Sequence, residues 1–187
     1  MIGIAFTGSG KTLAFCLPAI MMALEEETKL PLGRGEGPVG VILCPSRELA
    51  TQTFENVKAW TDALVRDGHY PPLNSLLCIG GISMSEQSHA FTTGIHLVVA
   101  TPGRLIDMLE KKRFTFNNCK YLCMDEADRM IDLGFEEDVR NIMSFFKVWI
   151  TNSKDCTFSF AGRDSARRSC SPLRCQEKFR ILPSNLS

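Results

Sequence analysis

The chain is defined first by what it lacks. Nowhere in its 187 residues do 18 apolar residues run together, so no membrane-spanning helix is expected and no membrane partner is inferred. The N-terminus shows no basic segment leading into an apolar core and a small-residue cleavage site, so no secretory signal is expected either. There are eight cysteines, but none forms C-x-x-C, and the pairs Cys119/Cys123 and Cys170/Cys175 have no histidine at zinc-ligand spacing. They are read as reduced thiols of an intracellular protein, not as a metal site. The three histidines, His69, His89 and His96, are too scattered to nominate as ligands and are read as loop or surface packing. The formal net charge is zero, so an overall basic surface cannot be the argument for a polyanionic partner. The charge is unevenly spread: residues 1–147 carry 14 basic and 18 acidic side chains, residues 148–187 carry 7 and 3.

What is present points to one ordinary globular domain: 44% hydrophobic and 22% charged residues in a length of about one domain. The chain is organised around Ala5-Phe6-Thr7-Gly8-Ser9-Gly10-Lys11-Thr12. An apolar run at 1–4 precedes it and a helical pattern at 13–24 follows. Strand, glycine-bearing loop, Gly-Lys-Thr and helix together are the layout of a phosphate-binding loop. Gly8 and Gly10 let backbone N–H groups turn toward an anion. The helix beginning near Lys11 directs its positive dipole end at the same place. Lys11 can reach the β and γ phosphates of ATP, and the Thr12 hydroxyl can ligate Mg²⁺. The plainer alternative is a glycine-rich turn capping an ordinary helix. Apolar positions Leu13, Leu17, Ile20, Met21 and Leu24 predict the inner face of that first helix, with Pro18 introducing a kink.

Further strands are predicted at 39–44, 76–79, 97–100 and 121–124, and helices from Ser46, at 83–91, from Pro102 and at 136–146. Ser46 is a good N-cap, with Leu49, Thr53, Val57, Trp60 and Leu64 forming an inner face. Pro102 suits a first helical position. Such alternation predicts an α/β domain, a parallel sheet with helices on both faces. Ligands then belong at the carboxyl ends of the strands. The polar clusters all fall at such ends: the phosphate loop, Ser46-Arg47-Glu48, Gly80-Gly81, Thr101-Pro102-Gly103-Arg104 and Asp125-Glu126-Ala127-Asp128. Asp125, at the edge of an apolar strand, can hold Mg²⁺ against phosphates through water. Glu126 beside it can orient or deprotonate an attacking water. A solvated acidic turn is the alternative for that cluster taken alone.

AFTGSGKT, PSRELA, GG, TPGRL and DEAD, in this order, resemble the first RecA-like domain of a DEAD-box ATP-dependent RNA helicase, and the finer wording is most similar to the abstrakt type. The resemblance covers residues 1–147, and it accounts for Ala5 where generic phosphate loops open with glycine. It implies a RecA-like P-loop fold and, position by position, a set of roles. Thr7, Gly8, Ser9, Gly10, Lys11 and Thr12 would hold the nucleotide. Thr12 and Asp125 would serve Mg²⁺. Glu126, with Asp125 and Lys11, would carry catalysis. Asp128 would couple to a second domain. Ser46, Arg47, Gly81, Thr101, Gly103 and Arg104 would lie along an RNA backbone. Small residues and helix N-termini admit phosphates closely, and the arginines add charge. A nuclear location is implied by the same resemblance, with the cytoplasm as the alternative.

Three parts of the family pattern are not found in these residues: an upstream glutamine-containing adenine-reading segment, a Ser-Ala-Thr strand end after DEAD, and a second helicase domain with arginines for the γ-phosphate. Residues 148–187 are instead basic and serine-rich with little apolar period, and are predicted to be an irregular tail. Within it, 156–160 could take the place of the strand that follows DEAD. The expectation is a chain that binds nucleotide weakly and does not unwind RNA alone. A non-catalytic nucleotide- or RNA-binding module remains the alternative. An unrelated phosphate-loop motor would leave PSRELA and TPGRL without a role.

Overall fold

The computed structural model describes residues 2–5, 10–81, 94–146 and 157–163, the first and last of these as backbone. Six strands form one sheet: β1 (Ile2–Ala5), β2 (Gly40–Leu43), β3 (Ser75–Cys78), β4 (Leu97–Ala100), β5 (Tyr121–Asp125) and β6 (Thr157–Arg163). All pairings are parallel, in the spatial order β1-β6-β5-β2-β4-β3. Among the described residues, five helices lie between them: α1 (Lys11–Lys29), α2 (Arg47–Arg66), α3 (Pro102–Glu110), α4 (Ala127–Asp132) and α5 (Glu136–Ser144). The helix expected at 83–91 and the phosphate-loop residues Thr7, Gly8 and Ser9 lie outside the described residues.

The central strands are buried on both faces and read as continuous apolar runs, as a covered parallel sheet requires. Their side chains alternate between two cores. Val41, Leu43, Val98, Ala100, Leu122 and Met124 join one, with Leu105 and Met108 of α3, Met130 of α4 and Val139 and Ile142 of α5. Ile42, Cys44, Leu97, Val99, Tyr121 and Cys123 join the other, with Phe15, Cys16, Ala19 and Ile20 of α1 and Val57 of α2. Helices therefore cover both faces, as the sequence predicts.

The inner face of α1 is only partly the one predicted. Ile20 is buried and Leu24 packs against the core as expected, but Leu13, Leu17 and Met21 are 47, 48 and 61% exposed, and Phe15, Cys16, Ala19 and Ala23 are buried instead. The true stripe is rotated from the predicted one and shares Ile20 with it. Small residues face the sheet because α1 approaches it closely: a Cβ added to Gly40 would stand 3.5 Å from that of Ala19. Pro18 lies within a continuous helix. Expectations for α2 hold better. Ser46 caps it, its Oγ accepting the Leu49 N–H at 3.2 Å. Thr53 and Val57 are buried, and Leu49, Trp60 and Leu64 pack against the core.

Two features of the edge depart from expectation. A phosphate-loop strand normally sits within a sheet; β1 lies at the edge, paired with β6. The tail, expected to be irregular, supplies Thr157–Arg163 as a strand between β1 and β5, which fills the position that 156–160 was suggested to take.

His96 is also not a surface residue. It is 2% exposed, and its ring closes a network at the amino ends of the strands. Asn74 N–H donates to Nδ1 at 2.9 Å, which fixes the tautomer, so Nε2–H donates to Glu27 Oε2 at 2.8 Å. The Leu32 N–H also donates to Glu27, at 2.9 Å. Burial pushes the Glu27 carboxyl upward, but the Leu32 and His96 bonds outweigh it and leave the group below its usual range. A depressed folded pKa contributes stability above the unfolded value and loses it as pH falls through the folded one. Replacing Glu27 with Gln is expected to cost about 1–3 kcal/mol at neutral pH. In urea titrations it should also flatten the loss of stability between about pH 5 and pH 3; an acid limb as steep as that of the parent chain would count against this pairing.

Candidate functional site

The register sets the site. Met124, Leu43, Ala100 and Cys78 lie in one row across β5, β2, β4 and β3. The next residues leave the sheet together, held by Cys44 N–H to Ala100 O at 2.9 Å and Thr101 N–H to Cys78 O at 3.1 Å. Every described polar cluster singled out in the sequence therefore lies along one rim.

At one part of the rim is the N-terminus of α1. Gly10 is its N-cap, with φ 80° and no side-chain capping bond. Among the described residues, no heavy atom beyond its chain neighbours lies within 4 Å of where a Cβ would stand. The first N–H groups of α1 lack a side-chain cap, the arrangement that suits an anion. Lys11 and Thr12 are half-buried in this first turn. The helix is fixed against β5 by the Tyr121 hydroxyl, which donates to Phe15 O at 2.9 Å. Asp125 emerges at the end of β5, 5% exposed. It lies level with Ala161 of β6 and, through it, Gly3 of β1. Two strand spacings, roughly 10 Å, thus separate β1 from β5.

Beneath Asp125 are Cys16, Cys44 and Cys123, all fully buried. Burial pushes their thiols upward, and the Asp125 charge pushes them further. They are neutral at physiological pH. The five described cysteines outside the tail are all unbridged, as expected of reduced thiols.

Glu126 is 7% exposed and has left-handed backbone angles, φ 51° and ψ 48°. A non-glycine residue in that region costs about 1 kcal/mol and persists where its surroundings hold it. Its Oε2 accepts from Arg129 Nη1 at 3.1 Å. Asp128 Oδ1 is buried without a hydrogen-bond partner among the described residues.

A donor set of one buried carboxylate and one threonine hydroxyl fits a cation held mostly by water and phosphate oxygens, as Mg²⁺ is. It does not fit a cation caged by protein, and no cluster of three His, Cys, Asp or Glu side chains able to hold a metal occurs among the described residues.

Along the rim a cleft of about 630 Å³ is lined by Ser46, Arg47, Gly80, Thr101, Gly103 and Arg104. The Arg47 guanidinium covers the glycine pair: a Cβ on Gly80 would stand 3.2 Å from Nη2 and one on Gly81 3.3 Å from Nη1. Gly81 itself does not line the cleft. Six lining residues had no binding role in the sequence reading: Pro45, Glu48, Gly80 and Pro102, which stand within its motifs, and Asp107 and Phe135, which do not. Asp107 had a signal in its i,i+3 spacing from Arg104, which it pairs with at 3.0 Å. Its carboxyl is held below the usual range by Lys111 first and Arg104 second.

The DEAD/DEAH box helicase profile matches residues 1–161. The chain belongs to that family. Over 146 residues it is 60% identical to a probable ATP-dependent RNA helicase, ddx41, of Dictyostelium discoideum, which covers 78% of this chain and 22% of the relative. It is likewise 60% identical over 147 residues to the ATP-dependent RNA helicase abstrakt of Drosophila melanogaster, covering 79% and 24%. The yeast DEAD-box splicing factor Prp28 superposes with a TM-score of 0.73 at 34% identity, covering 92% of this chain and 37% of that one. The fold is thus the RecA-like domain of DEAD-box proteins, and the chain spans about a quarter of the length of these curated helicases.

Within this member of the family, two glycines of the rim should respond oppositely to alanine. Gly81 has φ +92° and faces Arg47, so Gly81→Ala is expected to cost about 1–2 kcal/mol, a few degrees of melting temperature. Gly103 lies in α3 with open space where a Cβ would stand, so Gly103→Ala should raise stability by about 0.5–1 kcal/mol. Equal shifts by thermal melting would contradict the rim geometry.

Proposed function

We propose that this chain is the greater part of the first RecA-like domain of an ATP-dependent RNA helicase, binding Mg-ATP at one part of the rim and an RNA backbone in the cleft. The observation that carries the reading is the shared rim. The α1 N-terminus, Asp125, Glu126 and the arginine-bearing cleft stand at the carboxyl ends of one parallel sheet.

In this reading the loop Thr7, Gly8, Ser9 and Gly10 and the first turn of α1 receive the phosphates. Lys11 offsets their charge. Mg²⁺, when bound, neutralises charge on the β and γ phosphates. Thr12 and Asp125 hold it, Asp125 through water. Glu126 orients the attacking water and takes its proton. Asp128, with a buried oxygen lacking a partner among the described residues, couples to the second helicase domain of the longer protein. Ser46, Arg47, Gly81, Thr101, Gly103 and Arg104 position the RNA without reading its sequence.

Unwinding belongs to the longer protein. An arginine supplied from another domain is worth about 10³–10⁵ in rate, so the first domain by itself turns over slowly. Residues 148–187 form a tail distinct from the domain at 1–147, apart from the strand they contribute. A relative named a pre-mRNA-splicing helicase supports an intracellular, nuclear setting. No described helix is long and apolar enough to cross a membrane.

Lys11→Ala should weaken Mg-ATP binding by roughly 10- to 100-fold, the worth of a hydrogen bond to a charged group. Glu126→Gln should spare nucleotide affinity and abolish any hydrolysis. Unchanged affinity in the lysine variant would remove the phosphate-loop assignment. For RNA, Arg47→Ala should weaken oligouridine binding and reduce the slope of log K against log salt by about 0.7. A slope equal to that of the parent chain would place Arg47 off the backbone.

A further inference from the structure

Among the described residues lining the cleft, Phe135 is the one aromatic side chain. It comes from the link between α4 and α5, whereas the other lining residues come from the ends of β2, β3 and β4 and from α2 and α3. Two local rules fail to explain it. Phe135 is the N-cap of α5, where a short polar side chain is favoured, and its side chain makes no capping bond. Nor is it a fully enclosed core residue. Phe114, Phe116 and Phe146 of the core on this face are at most 3% exposed, while Phe135 is half-buried at the margin of that core. A residue that breaks local preference where it faces a cleft is a candidate for binding.

The ring is carried on a fixed backbone. Gly134 turns the chain with φ +82°. The Phe135 N–H donates to Met130 O at 3.0 Å, at the end of α4, and its carbonyl accepts the Val139 N–H at 2.9 Å, at the start of α5. An aromatic side chain so supported has two torsions to lose, so laying a ligand on it costs little ordering. The neighbouring charges select the kind of ligand. Glu136, Glu137 and Asp138 fill the first turn of α5, and Glu136 is paired with Arg140 at 3.0 Å. Phosphate is disfavoured on that side. Across the cleft, Arg47, Arg104 and the starts of α2 and α3 favour it. One wall therefore suits an anion, and the other offers an uncharged apolar face.

We propose that Phe135 is a base-stacking residue for single-stranded RNA, taking the face of one unpaired nucleobase while the phosphates lie against Arg47 and Arg104. Such stacking needs a base free of a duplex, and it tolerates any sequence because every base has a π face. It rests on the RNA reading of the cleft, and it adds a base contact to a site whose other residues offer contacts to the backbone.

The test is fluorescence anisotropy on the full chain with two probes, a ten-residue oligouridine and a ten-residue ribose-phosphate chain without bases. Phe135→Leu keeps an apolar side chain against the core but removes the ring. It should weaken oligouridine binding by roughly 5- to 30-fold, the lower part of the range for a base on an aromatic face. Phe135→Tyr should restore that affinity. The baseless chain should bind the parent and both variants alike, and the slope of log K against log salt should not change, because no charge is removed. Oligouridine affinity unmoved by Phe135→Leu overturns the proposal, even where Arg47→Ala lowers the slope and so leaves the RNA reading standing. An equal loss for both probes overturns it too, since that marks a general disturbance of the cleft. Should Phe135→Leu not fold, the parent chain and Phe135→Tyr decide: both must bind oligouridine more tightly than the baseless chain, and equal affinities overturn the proposal. If neither probe binds the parent chain, the RNA reading of the cleft fails and the stacking role fails with it.

Discussion

The parallel register is the constraint on which the rest of the structure depends. When neighbouring strands run the same way and end at the same level, their exits form a line. Leu43, Ala100, Met124 and Cys78 share a row, and each sits in a strand covered on at least one face by a helix. Below that row almost every side chain of the central strands is apolar. Above it the backbone carbonyls and N–H groups lose their ladder partners and turn to side chains, helix starts and ligands. Polar chemistry is confined to the rim because nowhere else on these strands could it be satisfied.

The charge at this rim is placed on a floor that adds none. Asp125 stands over three thiols that burial keeps protonated, so the thiols add no charge beneath it. That suits the cation-facing role proposed for Asp125 in a largely buried position. Glu126, one residue on, escapes the strand through a strained backbone step. The strain separates the two side chains: one continues the line of β5, the other turns toward α4 and Arg129. Two adjacent carboxylates can thus serve different tasks because one lies within a regular element and the other lies between two.

Much of this was legible because it follows short-range rules. Strand ends followed by Ser46, Thr101-Pro102 and Asp125 carry their own punctuation, and the caps and turns form where those residues dictate. What escaped the sequence needed long-range information. The buried face of α1 is set by how closely Ala19 must approach Gly40, not by which of its residues are most hydrophobic. His96 becomes a hub only because Asn74, 22 positions away, and Glu27, 69 positions away, meet it. The sequence suggests a strand at 156–160, but its full extent, Thr157–Arg163, depends on an opening between β1 and β5, which no local period announces.

In the function proposed, these placements bear on how a domain with no basic excess would handle a polyanion. Residues 1–147 are net acidic by four charges, so long-range steering cannot supply the attraction. The cleft itself mixes Arg47 and Arg104 with Glu48 and Asp107. Such a surface favours a polyanion only where its positive groups and N–H donors are presented and its acids are engaged. Asp107 is occupied by Lys111 and Arg104, and Glu48 by its own N–H, Ser46 and neighbouring arginines. The acids therefore fix the donors in place as much as they cancel them. Affinity then comes from the arrangement of a few groups on a rigid rim, which makes it moderate and dependent on salt.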